Sequence, residues 1–317
     1  MLKNKKILVT GGAGFIGSNI CKNLLEQGAH VRVLDNLITG RKLNIEPFLS
    51  HPNFEFIEDT IFDLNVCKKA CTNIDFVSHQ AALGSVPRSI AFPEKTNESN
   101  VTGFLNMLIA AKENKVHRFV YASSSSVYGD EPSLPKIETK IGNPLSPYAV
   151  SKYTNELYAQ VFYKTYGLET IGLRYFNVFG PNQDPEGEYA AVIPLFINNI
   201  LHNKPIYING DGSNTRDFTF VNNAVQANIL ALTTENKAAK GEIFNVAVGE
   251  NFSLNNLTEA IQSILATKTE IIHREERAGD IKNSLADISK ISNLLNYKPT
   301  HTFFEGLKET VAYFKNL

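Results

Sequence analysis

The chain opens on an apolar run, Ile7-Leu8-Val9-Thr10, that passes directly into Gly11-Gly12-Ala13-Gly14-Phe15-Ile16-Gly17, after which Ile20, Leu24 and Leu25 recur at helical spacing. This order predicts a strand, a tight glycine turn and a helix. Short apolar runs return at 30–35, 54–57, 75–79, 118–122 and 169–174, with helical periods between them, as over 101–114 and 148–166. Alternating strand and helix patterns predict an α/β fold with a parallel sheet wound on both faces. Beyond residue 180 the pattern loosens: Pro181, Pro185, Pro194 and Pro205 interrupt it, and Gly210 and Gly212 mark turns.

Ligands of such sheets bind beyond the carboxyl ends of the strands. Gly11, Asp35, Gln80, Ser124 and Asn177 each end or follow a predicted strand, so five segments are expected to converge on one crevice. A glycine turn there lets the backbone approach a pyrophosphate, while the N–H groups and positive end of the next helix attract the anion. The spacing over 11–17 is Gly-x-x-Gly-x-x-Gly. Asp35 follows about 20 residues on, where a dinucleotide fold sets the carboxylate that binds the adenosine ribose hydroxyls. An acid at that place argues for NAD, since an adenosine phosphate would meet a like charge; Arg41 is the one nearby feature on the other side. The expected organisation is a Rossmann-type NAD-binding domain over 1–180, with a return segment near 218–248, and a smaller α/β substrate-binding lobe over 181–317.

Tyr148-Ala149-Val150-Ser151-Lys152 sets a tyrosine and a lysine four residues apart, on one face of a predicted helix, with Ser123 to Ser126 upstream. A lysine ammonium beside a phenol favours the phenolate, so the tyrosine is expected to titrate lower than usual and to serve as an acid or base. A neighbouring serine hydroxyl can bridge it to a substrate alcohol.

Composition narrows the setting. With 317 residues, 43% hydrophobic and 20% charged, the chain can bury a large core, and a formal net charge of −1 gives no reason to expect nucleic acid or an anionic membrane as partner. Cys21, Cys67 and Cys71 lack a Cys-x-x-Cys spacing and read as small apolar residues of a reducing compartment. No His-Glu-x-x-His array is present, and no metal is expected. The start, three lysines running straight into the first strand, leaves no room for a signal peptide, so a cytoplasmic enzyme is expected.

With its Gly-x-x-Gly-x-x-Gly fingerprint and its Ser124, Tyr148-x-x-x-Lys152 set, the chain resembles the extended short-chain dehydrogenase/reductase family over almost its whole length. Four strings are similar to those of the nucleotide-sugar 4-epimerases, above all the branch acting on UDP-N-acetylhexosamines: Gln80 to Ser89 (QAALGSVPRS), Arg174 to Pro181 (RYFNVFGP), Tyr207 to Gly212 (YINGDG) and Ser284 to Asp287 (SLAD). The resemblance implies that Tyr148, as phenolate, removes the proton of the sugar 4-hydroxyl while hydride passes to NAD, with Ser124 contacting that hydroxyl and Ser125 assisting. Lys152 would hold the nicotinamide ribose and lower the tyrosine pKa. The 4-keto sugar would turn over and take the hydride back on its other face, so NAD stays bound.

Cofactor contacts implied in the same way come from Gly11, Gly14, Phe15, Ile16, Asp35 and Asn36, from Thr39, Gly40, Gln80, Ala81 and Asn100, and from Ile61, Tyr175 and Val178. The family usually carries Gly-Asp-Ile after the third strand, with its Asp on the adenine amino group; here the string is Asp59-Thr60-Ile61, and either Thr60 or Asp59 takes that contact. On the substrate side, Gly84 and Ser85 would face the hexose and Asn177 the diphosphate or sugar. Ala191, Val192, Tyr207 and Asn209 would surround the uracil, Arg216 and Arg277 would clamp the diphosphate, and Asp280 would bind its ribose.

Ser284 bears on substrate choice. A bulky residue there would close the sugar pocket and a serine leaves volume for an N-acetyl group, while the plain alternative is a helix N-cap. Ser124-Ser125-Ser126-Val127-Tyr128-Gly129 holds no carboxylate to protonate a leaving hydroxyl, which disfavours dehydratase or decarboxylase chemistry. Two rival readings stay open: a UDP-uronic acid 4-epimerase, in which Ser85, Arg88 and Ser284 meet a carboxylate, and a non-catalytic NAD-binding sensor. A homodimer through the helices near Val101 and Tyr148 is implied by the resemblance.

Overall fold

The computed structural model describes residues 2–186, 190–275 and 282–317. Its centre is a seven-stranded, all-parallel sheet: β1 (Lys6–Thr10), β2 (His30–Asp35), β3 (Phe54–Glu58), β4 (Phe76–His79), β5 (Arg118–Ser124), β6 (Glu169–Tyr175) and β7 (Ile243–Val246). Their order is β7-β6-β5-β4-β1-β2-β3, so the sequence reverses direction between β1 and β4. The six predicted runs all fall on these strands.

Successive residues of the inner strands enter opposite cores, which is why their runs read as nearly continuously apolar, whereas β3 at the edge leaves Glu55 and Glu58 exposed. Ile7, Val9, Val31, Val33, Ile171 and Leu173 pack with Ile20 and Leu24 of the helix Phe15–Glu26 and with Ala224 and Ala231 of the helix Val221–Thr233. Leu8, Leu34, Val77, Phe119 and Tyr121 face the other way, against the helices Leu64–Ala70, Gly103–Glu113 and Pro147–Tyr166. All three cysteines are buried and unpaired, and burial pushes their thiols well above the usual range.

The second lobe is built from two stretches of chain, one between β6 and β7 and one after β7. It contains the helix Val192–Leu201, the parallel pair Ile206–Asn209 and Ile271–Arg274, and the helices Leu254–Leu265 and Phe303–Lys315. Each of the last two helices begins with a capping box, Ser253 with Asn256 and Thr302 with Glu305. The lobe does not have a separate core: Ile193, Phe196, Phe220 and Phe303 belong to the same cluster as β1 and β6. Phe303 stacks on Phe252, with ring centroids 4.3 Å apart, and on Phe218 at 5.5 Å.

A buried carboxylate fastens the lobe to the carboxyl edge of the sheet. Asp217 is 0% exposed and accepts from the backbone N–H groups of Val248 and Gly249 at 3.1 Å and of Ala286 at 3.2 Å. Burial pushes its pKa up to about 7, against the downward pull of those three donors. Its own carbonyl accepts from Asn177 Nδ2 at 3.2 Å, linking the lobe to the residue that follows β6.

Candidate active site

The helix Pro147–Tyr166 begins where its sequence dictates. Ser146 Oγ accepts from Ala149 N–H, Pro147 occupies the first turn, and Gly167 ends the helix in a left-handed conformation, φ +70°. Tyr148, Lys152 and Glu156 therefore stand one above another on the face turned to β5 and β6. Lys152 is 2% exposed, and its Nζ donates to the Ala122 carbonyl at 2.9 Å. Burial lowers its pKa to about 8, with Glu156 acting in the opposite sense.

Below it lies a buried ion pair. Glu156 takes two guanidinium bonds from Arg174, each 2.8 Å, and a third from Ser123 Oγ at 2.6 Å. Ser123 and Arg174 are register partners on β5 and β6, so one carboxylate ties both strands to the helix Pro147–Tyr166. Ser124, the next residue, ends β5 and caps the following turn by accepting from Ser126 N–H at 3.1 Å. The phenol of Tyr148 behaves differently from the sequence expectation. Burial raises its pKa, against the downward pull of a hydrogen bond with its neighbour Ser124.

Around this group runs a cavity of about 840 Å³ along the carboxyl edge of the sheet. Gly11, Asp35, Gln80, Ser124 and Asn177 all line it, each from a different strand end. At one end Asp35 Oδ2 accepts from Ala13 N–H at 2.9 Å and Oδ1 from Leu37 N–H at 2.8 Å, leaving a lone pair on each oxygen for two ribose hydroxyls. A side chain at Gly40 would put its Cβ 2.7 Å from Asp35 Oδ1. Gly11 has φ +69°, and a Cβ there would meet Ala81 N at 2.6 Å, so this turn admits only glycine and lies flush against the loop after β4. These features, with Gly14, Phe15 and Ile16 on the same wall, fit a dinucleotide.

The remaining expected residues divide. Asn36, Thr39, Ile61, Ala81, Tyr175 and Val178 line the cavity, as do Gly84, Ser125 and Ala191. Asn100 does not: it is 1% exposed, and its amide clamps Leu83 from beneath through N–H and carbonyl bonds of 2.8 and 3.1 Å. Of the two adenine candidates, Asp59 is on the wall; the Thr60 hydroxyl lies off it and accepts from Phe62 N–H at 3.2 Å. Ser85 is spent as the cap of the short helix Val86–Ala91.

Val192, Tyr207, Asn209, Arg216 and Ser284 stand in the second lobe, off the cavity wall. Arg274 stacks on the Tyr207 ring, 3.6 Å from its centroid, so one face of that ring is covered. Arg216 Nη1 donates to the carbonyls of Thr215 and Lys282. Ser284 is 8% exposed, and it is not a helix cap, because the next helix, Ser289–Leu295, has Ile288 at that position. Arg277 and Asp280 lie outside the described residues.

Comparison with known proteins gives this site its setting. The sequence pattern of the NAD dependent epimerase/dehydratase family matches residues 7–247. The chain belongs to that family. It is 40% identical over 312 residues to a putative UDP-glucose 4-epimerase of Methanocaldococcus jannaschii, covering 98% of each chain. Among solved structures it is similar to UDP-N-acetylglucosamine 4-epimerase of Methanobrevibacter ruminantium M1 in complex with UDP-N-acetylmuramic acid, with a TM-score of 0.94, 41% identity and 99% of each chain covered. It is also similar to UDP-glucuronic acid 4-epimerase of Bacillus cereus in complex with UDP-glucuronic acid and NAD, with a TM-score of 0.91, 34% identity, and 98% and 99% covered.

In this NAD-dependent family member, several residues that shape the site carry no motif of their own. Glu156 was within reach of a sequence reading, since it continues the Tyr148, Lys152 spacing by four more residues. Ser78 on β4 and Asn228 on the helix Val221–Thr233, partners at 3.2 Å, carry no such signal. Arg41, the feature that pointed away from NAD, is paired with Asp184 at 3.6 Å. No helix among the described residues is long and apolar enough to cross a membrane.

Proposed function

We propose that this enzyme interconverts UDP-N-acetylglucosamine and UDP-N-acetylgalactosamine by inversion at carbon 4 of the sugar. The observation that carries the proposal is the hydroxyl set of Ser124 and Tyr148 backed by buried Lys152, on a cavity wall where residues 123–126 are all serine and offer no acid for an elimination. The 4-epimerases among its relatives support the reaction class. The Methanobrevibacter relative favours an acetylated hexose, and Ser284, although off the cavity wall, is the small residue whose enlargement tests that choice.

Bound NAD supplies the acceptor and later the donor of hydride, and adds positive charge to this end of the cavity. The chain's own groups handle the proton and the alignment. Tyr148 Oη takes the 4-hydroxyl proton and returns it after the sugar has turned. Ser124 Oγ, held by Ser126 N–H, orients the phenol and the substrate alcohol. Lys152, with one N–H on the Ala122 carbonyl, keeps two for a ribose.

A uronic acid is the second reading, favoured by Arg88 on the cavity wall and by the Bacillus relative. Incubating the protein separately with UDP-N-acetylglucosamine, UDP-glucose and UDP-glucuronate, without added cofactor, distinguishes them. Turnover of the acetylated sugar is expected to lead, and Ser284→Tyr is expected to cut that turnover by about tenfold or more while sparing UDP-glucose. Fastest turnover of UDP-glucuronate would replace the proposal, and an unchanged ratio in the variant would remove Ser284 as the gate. Equal inactivity on all three with NAD bound would leave a sensor.

Assembly as a homodimer is part of the same reading. Val150, Leu157 and Val161 form an exposed apolar stripe on the helix Pro147–Tyr166, and Ile90 and Phe92 extend it on the adjoining short helix, at 64% and 43% exposure. Leu157→Glu is expected to shift the sedimentation coefficient from dimer to monomer. A wild-type monomer at micromolar concentration would sink the idea.

A further inference from the structure

Four side chains at the floor of the cavity close a ring of hydrogen bonds. Ser78 lies on β4, Gln80 just after it, Tyr175 at the end of β6, and Asn228 on the helix Val221–Thr233. Gln80 Nε2 donates to Ser78 Oγ at 3.0 Å and to Asn228 Oδ1 at 3.1 Å, and Ser78 Oγ donates to Asn228 Oδ1 at 3.2 Å. Asn228 Nδ2 donates to Tyr175 Oη at 2.7 Å, and Tyr175 Oη donates to Gln80 Oε1 at 3.0 Å.

The sense of this ring is fixed from outside it. Asn228 Nδ2 also donates to the Ala224 carbonyl at 2.8 Å, an atom that can only accept, so the amide cannot be reversed. Its Oδ1 must then face Ser78 and Gln80, which orients the Gln80 amide in turn. Gln80 Oε1 is left to receive the single proton of Tyr175. All six polar hydrogens of the four side chains are used in six bonds.

Ser78 and Asn228 are fully buried, whereas Gln80 and Tyr175 line the cavity. Toward a ligand these two therefore present lone pairs only, one on Gln80 Oε1 and one on Tyr175 Oη. Burial keeps the tyrosine protonated, so this arrangement does not change with pH in the working range.

We propose that Asn228 is a positioning residue that makes this wall accept and never donate, and that the wall selects the amide NH₂ of NAD's pyridine carboxamide. An analogue with a carbonyl and no NH₂ would set acceptor against acceptor in a desolvated place, which is costly. A carboxamide held by its NH₂ has one ring orientation, so the same wall governs which pyridine face meets the sugar.

Competition tests this. The purified holoenzyme is incubated with equal excesses of NAD and 3-acetylpyridine adenine dinucleotide, a neutral analogue with methyl in place of NH₂, and the protein-bound cofactors are quantified by mass spectrometry. The wild type is expected to retain NAD over the analogue by about tenfold or more. Asn228→Leu, which frees Ser78 and Gln80 to turn, should bring the ratio within about threefold of unity. Tyr175→Phe keeps the ring shape and removes one acceptor, and should lower the ratio even if the first variant folds poorly. A structural role alone would weaken both cofactors together and leave their ratio unchanged. A wild-type ratio near unity, or a ratio preserved in both variants, overturns the proposal.

Discussion

Tyr148→Phe is expected to lower kcat by about 10²–10⁴-fold while the protein keeps its bound NAD. The phenyl ring preserves the packing and removes the one oxygen that carries the substrate proton. Neither neighbour can take over that duty. Ser124 Oγ is fixed by Ser126 N–H, and Lys152 Nζ is drawn away to the Ala122 carbonyl. The measurement is steady-state turnover beside the cofactor content of the same preparation. A variant that retains a tenth or more of the turnover would remove Tyr148 as the base; one that loses NAD would mean that the phenol chiefly holds the cofactor.

Glu156→Gln is expected to damage stability and the pH profile together. The substitution leaves Arg174 charged and buried, with an amide where its second carboxylate oxygen was. Breaking a buried pair in this way costs roughly 3–5 kcal/mol. In thermal denaturation this should appear as a fall in Tm on the order of 5–15 °C for a domain of this size. Lys152 supplies the second signature. Its pKa lies near 8, below the ordinary 10.5, and Glu156 is the group that holds it up, so without Glu156 it falls further. A lysine is charged below its pKa, so activity that needs the ammonium is lost as pH rises through that value. In the variant this loss should begin at lower pH than in the wild type. Unchanged Tm would show that the pair adds nothing to folding, and an unmoved alkaline limb would show that Lys152 does not depend on it.

The parts of this structure that were legible in the chain are those that depend on local spacing. A strand buried on both faces must be apolar at nearly every position, so the inner strands could be read directly, and β3, at the sheet edge, was legible from its alternation of Phe54 and Phe56 with exposed Glu55. The glycine turn and Asp35 were legible because a dinucleotide imposes them at set intervals, and the start of the catalytic helix was written in Ser146 and Pro147. β7 was harder: four residues long with buried Asn245 inside it, it shows neither alternation nor a long apolar run. Polar groups that work in pairs between elements were invisible, because spacing reveals which face a residue occupies and not what stands opposite. Ser78 on β4 meets a helix residue 150 positions away, and Glu156 on its helix meets a strand residue 18 positions away. The same blindness explains the tyrosine: four-residue spacing puts Lys152 beneath Tyr148 but says nothing of the burial that raises the phenol's pKa.

The long connection from β6 to β7, which carries only part of the second lobe, bears on how the molecule is made. As the polypeptide leaves the ribosome, β6 with Arg174 and Tyr175 presents an open strand edge until residue 246 has emerged. Asn228 arrives only a little earlier. The first half of the chain, however complete its glycine turn, thus cannot finish the floor of the cavity. The hydrogen-bonded floor of the cavity therefore closes only when the last third of the chain is being made, while the helices Leu254–Leu265 and Phe303–Lys315 are still to come.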